Sequence, residues 1–503
     1  MTKTAWDKLG TYLKETQLLG SIQNTLYWDQ NTLMPKAGSS WRAEQLTYIA
    51  KTLHRRNTSK EFYDLINSAN DELNNERRKK NDDVEMYSKK KNIEILTKEF
   101  ARQSCLDHKL VELLARAKSH GYEAWQLAKS ESNFNIFLPS FKEIIKLRIE
   151  EANQISNELP PWETLAQPYE PDISKDWLFK IFSPLKEVIP TLLDEVKDID
   201  IYNWDIDPSS QKELCSKLLC EFGKDDDLVA IAESPHPFSI TLGPKDFRIT
   251  TRIVKGEPFS SFLATAHEWG HSLYEQGLPS QSHQWFAWPL GQATSMSVHE
   301  SQSLFWENRI VKSKAFAKRF YKYFASNGCP LNNYLELWHS INHFKPGLNR
   351  VEADELSYGL HILIRTELEI DLIEGGLNPK DLPYEWNNRY EKLLGIRPSN
   401  DREGCLQDVH WSEGAFGYFP SYLLGHLISA QISSKMEKDI GLIDDLIEQG
   451  KYEQIILWLN TNIHKYGRSL NSMELVKEVT NTELSPEFFI NYLKHKINKF
   501  EKI

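Results

Sequence analysis

An all-α fold, mostly helical, with one small β-hairpin and at least two packed lobes that leave room for a deep cleft between them is what the sequence predicts, on three observations. Over most of the chain apolar residues recur at three- and four-residue spacing with charges between them, the pattern of amphipathic helix. One stretch alternates instead, with β-branched residues on both sides of a Gly-Pro turn. The length, 503 residues, exceeds what one growing hydrophobic core accommodates, so at least two packed lobes are expected. With no internal repeat and no low-complexity linker, residues 1–503 are read as a single multi-lobed unit.

Taken in order, the start Met1-Thr2-Lys3-Thr4-Ala5-Trp6-Asp7 lacks the apolar core and small-residue cleavage site of a secretory signal. No later stretch approaches the ~20 apolar residues of a membrane span. Five cysteines, an odd and small number, argue for reduced thiols, so a cytoplasmic protein without membrane partners is expected. The basic runs Arg77–Lys80 and Lys89–Lys91 are interleaved with Glu76, Asp82, Asp83 and Glu85, which reads as a solvated helix face. Together with the net charge of -11, this speaks against nucleic acid as a partner. Phe141 to Ile149 and Leu178 to Phe182 carry helical periodicity. Phe238 to Val254 alternates around Gly243-Pro244 and predicts the hairpin, whose edge, beside a metal, offers backbone groups to an extended peptide; covering a core is an equally good role.

Beyond Pro258, a residue suited to a first turn, Phe259 to Gln276 predicts a helix that stops at Gly277-Leu278-Pro279. It contains His267-Glu268-Trp269-Gly270-His271, an HEXXH pattern. Histidines four apart share one helix face and can converge on one cation, with Glu268 at the rim as general base for a zinc-activated water. Two histidines on an unrelated helix are the plainer alternative. Gly270 inside the helix, at a cost of about 1 kcal/mol, argues against it. A hydrolytic zinc site needs a third protein ligand. Gly291 to Glu307 predicts a second helix with His299-Glu300 in its middle, and spacing leaves either residue open, with a slight lean towards Glu300.

Further segments carry a resemblance: His236-Pro237-Phe238, Asp246-Phe247-Arg248-Ile249-Thr250, His299-Glu300-Ser301-Gln302, Arg350-Val351-Glu352-Ala353-Asp354 and Gly404 to Trp411, with Trp28 to Pro35 and Arg42 to Leu46 nearer the start. In this order, and with the zinc pentapeptide, they resemble the thermostable carboxypeptidase (carboxypeptidase Taq) family of metallocarboxypeptidases. The resemblance implies a helical, cleft-shaped zincin, usually a homodimer, that removes single C-terminal residues with broad specificity and releases terminal proline poorly. It implies one Zn2+ per subunit, replaceable by Co2+, on His267, His271 and Glu300. One departure is Asn349, where the family has Ile or Val.

An exopeptidase of this kind must recognise a free C-terminal carboxylate, for which a guanidinium is the natural partner. The resemblance points to Arg350, with Arg248 next in line; a surface ion pair of Arg350 with Glu352 or Asp354 is the alternative. By analogy with related helical zinc peptidases, His410 and Tyr422 are candidates for stabilising the oxyanion, with Tyr418 close behind. An aromatic core seam of Tyr418, Phe419 and Tyr422 accounts for the same residues. His236, Asp246, Thr250 and His299 are expected near the cleft without an assigned role. Rival functions are a helical zinc oligoendopeptidase or dipeptidyl carboxypeptidase, and a non-catalytic peptide-binding scaffold.

Overall fold

The computed structural model describes residues 3–77, 84–195, 206–282 and 285–500. Arg78, Lys79, Lys80, Asp82 and Asp83 of the first basic run lie outside these. The second run is on a helix, where Lys89 pairs with Glu85 and Lys91 with Glu94, as a solvated face requires.

Four helices, α1 (Ala5–Thr32), α2 (Ser39–Asn57), α3 (Lys60–Arg77) and α4 (Val84–Ser104), form an N-terminal layer. Thr4 caps α1 through a reciprocal capping box with Asp7, satisfying two of the free amides of its first turn. Leu9, Tyr12, Phe62, Ile66, Leu73, Ile93 and Leu96 close a small apolar cluster, joined by Trp288 from the body of the protein. A much larger cluster holds most of the remaining elements together, so the described residues pack around two unequal apolar clusters. The two periodic stretches are helices, Phe134–Ile155 and Lys175–Glu195.

The sheet has one strand more than the sequence predicts. β1 (Val229–Glu233) runs parallel to β3 (Asp246–Thr251), on whose other side β2 (Ser239–Gly243) runs antiparallel. The hairpin is as expected, with Lys245 in the left-handed conformation of the turn, but it ends at Thr251. β1 escapes notice because five residues, two of them Ala and one Glu, carry little alternation. β2 is one of the two edges of the sheet and lies against α1: Asn24 Nδ2 donates to the Thr241 carbonyl at 3.1 Å and Ser21 Oγ to that of Leu242. At these two residues the edge is already bonded by side chains, which narrows the peptide-binding role considered for it. Among the described residues, no helix is long and apolar enough to cross a membrane, and all five cysteines are free thiols.

Candidate active site

The paired histidines stand on a helix over Pro258–Gly277, with proline in its first turn. The next helix is shorter than predicted, Met296–Leu304, because Pro289–Gly291 forms a separate 3-10 turn and Ser295 caps the new start, accepting from Val298 N at 3.2 Å. Its continuation, Phe305–Val311, is π-helical. The two helices touch at Gly270, where an added Cβ would stand 2.6 Å from the Gln302 carbonyl oxygen and the Ser303 Cα. Closeness of the two backbones therefore explains the glycine.

This contact brings Glu300 to the histidines. Its Oε2 lies 3.5 Å from His271 Nε2 and 3.8 Å from His267 Nε2. Two ligand atoms about 2.1 Å from one zinc at tetrahedral angles stand about 3.4 Å apart, so the donor set fits a zinc-sized ion. Gly425 of the Pro420–Ile440 helix makes room on the far side: a Cβ there would meet Glu300 Cγ at 2.9 Å. His267, His271 and Glu300 form the one such cluster of His, Cys, Asp or Glu among the described residues.

Charge at the site agrees with a cation. Burial pushes the Glu268 carboxyl up to about 7, with Glu300 adding to the rise and His267 opposing it. Burial raises Glu300 too. For His267 burial works against protonation, yet Glu300 and the bond to Glu307 outweigh it and hold the ring protonated up to about 10. Burial pushes His271 well down. Crowded carboxylates thus demand positive charge, and a divalent ion would meet that demand with both histidines neutral. Glu307, which the sequence did not single out, accepts from His267 Nδ1 at 2.9 Å and from Lys312 Nζ at 2.7 Å. Glu307 stands seven residues after Glu300, the spacing that returns to nearly the same helix face, so the helical period did offer it as a neighbour of the site.

Arg350 is buried, 8% exposed, and its Nε donates to Asp408 Oδ1 at 2.9 Å. The surface pair with Glu352 or Asp354 is therefore ruled out. Arg365 binds the other oxygen of Asp408 at 2.5 Å, and the two arginines hold that carboxyl well below its usual range against the pull of burial. Arg350 Nη1 reaches the Tyr358 hydroxyl at 3.3 Å, and its guanidinium lies 5.3 Å from the Tyr422 ring centre. Asn349, the departure from the family pattern, caps this turn by accepting from Val351 N at 3.2 Å. Asp408 pairs with arginines 58 and 43 positions away, so no local spacing reveals it or Arg365, whereas Tyr358 stands only eight residues after Arg350.

His410 packs on Tyr418 and Phe419, with ring centres 5.5 and 4.8 Å away, and burial brings it down to about 4, so it is neutral at pH 7. Tyr418 and Tyr422 lie 5.2 Å apart, and both feel the charges of Glu300 and Arg350. Phe419 alone follows the core-seam alternative fully, at 1% exposed. Arg248 is apart from this group: its partners are Asp246, at 3.0 and 3.1 Å, and the Trp28 ring of α1. Thr250 is buried and accepts from Phe238 N at 2.9 Å, while the His236 carbonyl accepts from Ser234 Oγ, so these residues brace the sheet.

The chain as a whole has known counterparts. A sequence profile described as carboxypeptidase Taq (M32) metallopeptidase matches residues 8–497. The chain belongs to the M32 metallocarboxypeptidase family. It is therefore a peptide hydrolase that uses a metal. Similar to this M32 enzyme are thermostable carboxypeptidase 1 of Thermus thermophilus, 34% identical over 98% of both chains, and carboxypeptidase 1 of Bacillus subtilis, 33% identical over 94% of this chain and 93% of the other. Among solved structures, the M32 carboxypeptidase of Deinococcus radiodurans superposes with a TM-score of 0.93 at 26% identity, covering 100% of each chain. The M32 fold thus spans both apolar clusters.

Proposed function

We propose that this M32 enzyme is a zinc carboxypeptidase that removes the last residue of peptides with a free C-terminus. The observation that carries the reading is the pairing of a metal-sized donor set with a buried guanidinium, Arg350, whose neighbours Tyr358 and Tyr422 also feel Glu300. His267, His271 and Glu300 would hold the ion, which supplies Lewis acidity towards a water and the scissile carbonyl. Glu268 takes the water's proton and passes it to the leaving amine. Tyr422, with Tyr418 beside it, and neutral His410 are donors for the oxygen on which negative charge builds. Arg350 binds the terminal carboxylate, and Asp408 keeps its fork in place. Broad specificity with poor release of proline, replacement of zinc by cobalt, a homodimeric state and a cytoplasmic location complete the proposal and rest on the resemblance to relatives.

The test compares matched free and C-terminally amidated peptides. Arg350→Ala is expected to lower kcat/KM for free peptides by about 1.5–3 kcal/mol, the range for hydrogen bonds to charged groups, and to matter little for amidated ones. Asp408 keeps Arg365 as partner in this variant, so the loss is not one of an orphaned buried charge. Equal losses on both peptides would move the anchor elsewhere, Arg248 being next. Efficient internal cleavage of the amidated peptides by the wild type would favour an oligoendopeptidase instead.

A further inference from the structure

Each of the two histidines has a partner on the ring nitrogen facing away from the metal-binding atoms, and the partners differ in kind. His267 turns Nδ1 to Glu307, a carboxylate already closed off by Lys312. His271 turns Nδ1 to a second imidazole, with 2.6 Å to His299 Nδ1, and His299 Nε2 lies 3.0 Å from Glu275 Oε1. Glu275 follows His271 by one turn on its own helix, and His299 directly precedes Glu300 on the other. We propose that His299 and Glu275 form a positioning relay that orients His271 and strengthens its hold on the metal. The proposal rests on the assignment of His267, His271 and Glu300 as ligands.

Donor and acceptor counting gives the relay a direction. A neutral imidazole carries one N–H. With His271 Nε2 on the metal side, its N–H is on Nδ1 and is donated to His299 Nδ1. The N–H of His299 is then on Nε2 and is donated to Glu275, whose ionised carboxylate only accepts. Both bonds run outward from the metal side, which fixes the tautomer and ring plane of His271 and makes its Nε2 a better donor of electrons. Packing holds the row: the His299 ring centre lies 4.6 Å from that of His271 and 5.2 Å from that of Tyr274. Thr241 Oγ1 of β2 donates to the second oxygen of Glu275 at 3.4 Å, tying the outer end to the sheet. That outer end also lines a cavity of about 400 Å³ between α1, β2 and the paired-histidine helix.

Competition with a chromophoric chelator reads Zn2+ and Co2+ affinity on the full chain without turnover. His299→Ala is expected to weaken both ions about 10–100-fold, the usual loss for a ligand's outer partner. Glu275→Ala should weaken them several-fold, and Glu275→Gln less, because the amide oxygen still accepts. The double variant His299→Ala/Glu275→Ala should be no weaker than His299→Ala alone, since Glu275 acts only through His299. Wild-type affinity in His299→Ala overturns the relay, and so do additive losses, which would make Glu275 an independent charge. Should His299→Ala not fold, Glu275→Ala decides alone, with unchanged affinity counting against the proposal. Full metal retention in His271→Ala would instead overturn the ligand assignment beneath it.

Discussion

Glu268 is 7% exposed, and burial brings its carboxyl up to about 7 in the absence of a cation. A divalent ion beside it lowers that value, so the acid limb of kcat/KM is expected below pH 7, with activity rising as the base ionises. Glu268→Gln keeps the shape and loses the proton acceptor. Metal content should stay at the wild-type level while turnover falls by about 10²-fold or more. Wild-type turnover in this variant would remove Glu268 from its role. At the same scale, replacing His267, His271 or Glu300 with Ala should strip most bound metal, and full occupancy in all three variants would sink the assignment.

Among elements, the crossing of the two ligand-bearing helices at Gly270 decides where Glu300 lies. Ala at this position would gain about 1 kcal/mol in helix propensity. Against that, its Cβ would press on backbone 2.6 Å away, an overpacking that costs about 1–3 kcal/mol and cannot be relieved by a rotamer change. Gly270→Ala should therefore unfold at lower denaturant and bind metal more weakly, because separating the helices separates the ligands. The segment carrying His410 and Tyr418 has its own anchor in Glu369 of the Tyr358–Ile373 helix, which accepts from Trp162 Nε1 at 3.1 Å, Trp411 Nε1 at 3.3 Å and Gly417 N at 3.0 Å. Burial pushes Glu369 up to about 8 from an ordinary 4.5, so the fold favours its protonated form. That contribution to stability is present in full below about pH 4.5 and is lost as pH rises towards about 8. Glu369→Gln should flatten the decline in unfolding midpoint over this window; parallel curves for both proteins would mean the carboxyl is ionised throughout in the native state.

For the whole molecule, a metal held by His267, His271 and Glu300 as proposed would crosslink two helices that share one large core. An ion that binds the folded state stabilises it by RT ln(1 + [L]/Kd), about 2.7 kcal/mol at roughly a hundredfold excess over Kd. The thermal midpoint should rise with buffered free zinc in the wild type and stay level in Glu300→Ala. A midpoint insensitive to zinc in both would place the ion elsewhere or make its binding too weak to matter. The smaller core of α1, α3 and α4 contributes no ligand, but α1 covers the β2 edge and forms a wall of the cavity.

What the sequence by itself determined is what depends on neighbours within a helical turn or a hairpin. The convergence of His267 and His271, the helix that carries them and the Gly243-Pro244 turn all follow from local periodicity and dihedral preference. The ordered motifs likewise named the family. Spacing left His299 and Glu300 open as third ligand, because adjacent residues differ by about 100° around a helix and only the packing of that helix decides which one turns inward. In the fold, the Gly270 contact and the space at Gly425 turn Glu300 to the histidines and leave His299 behind His271. The parallel strand β1, the covering of β2 by α1, the bond between Glu307 and His267 on separate helices and the pairing of Arg350 with Asp408, 58 residues apart, were decided by tertiary structure alone. Such contacts depend on how distant side chains fill one core, and no local pattern encodes that.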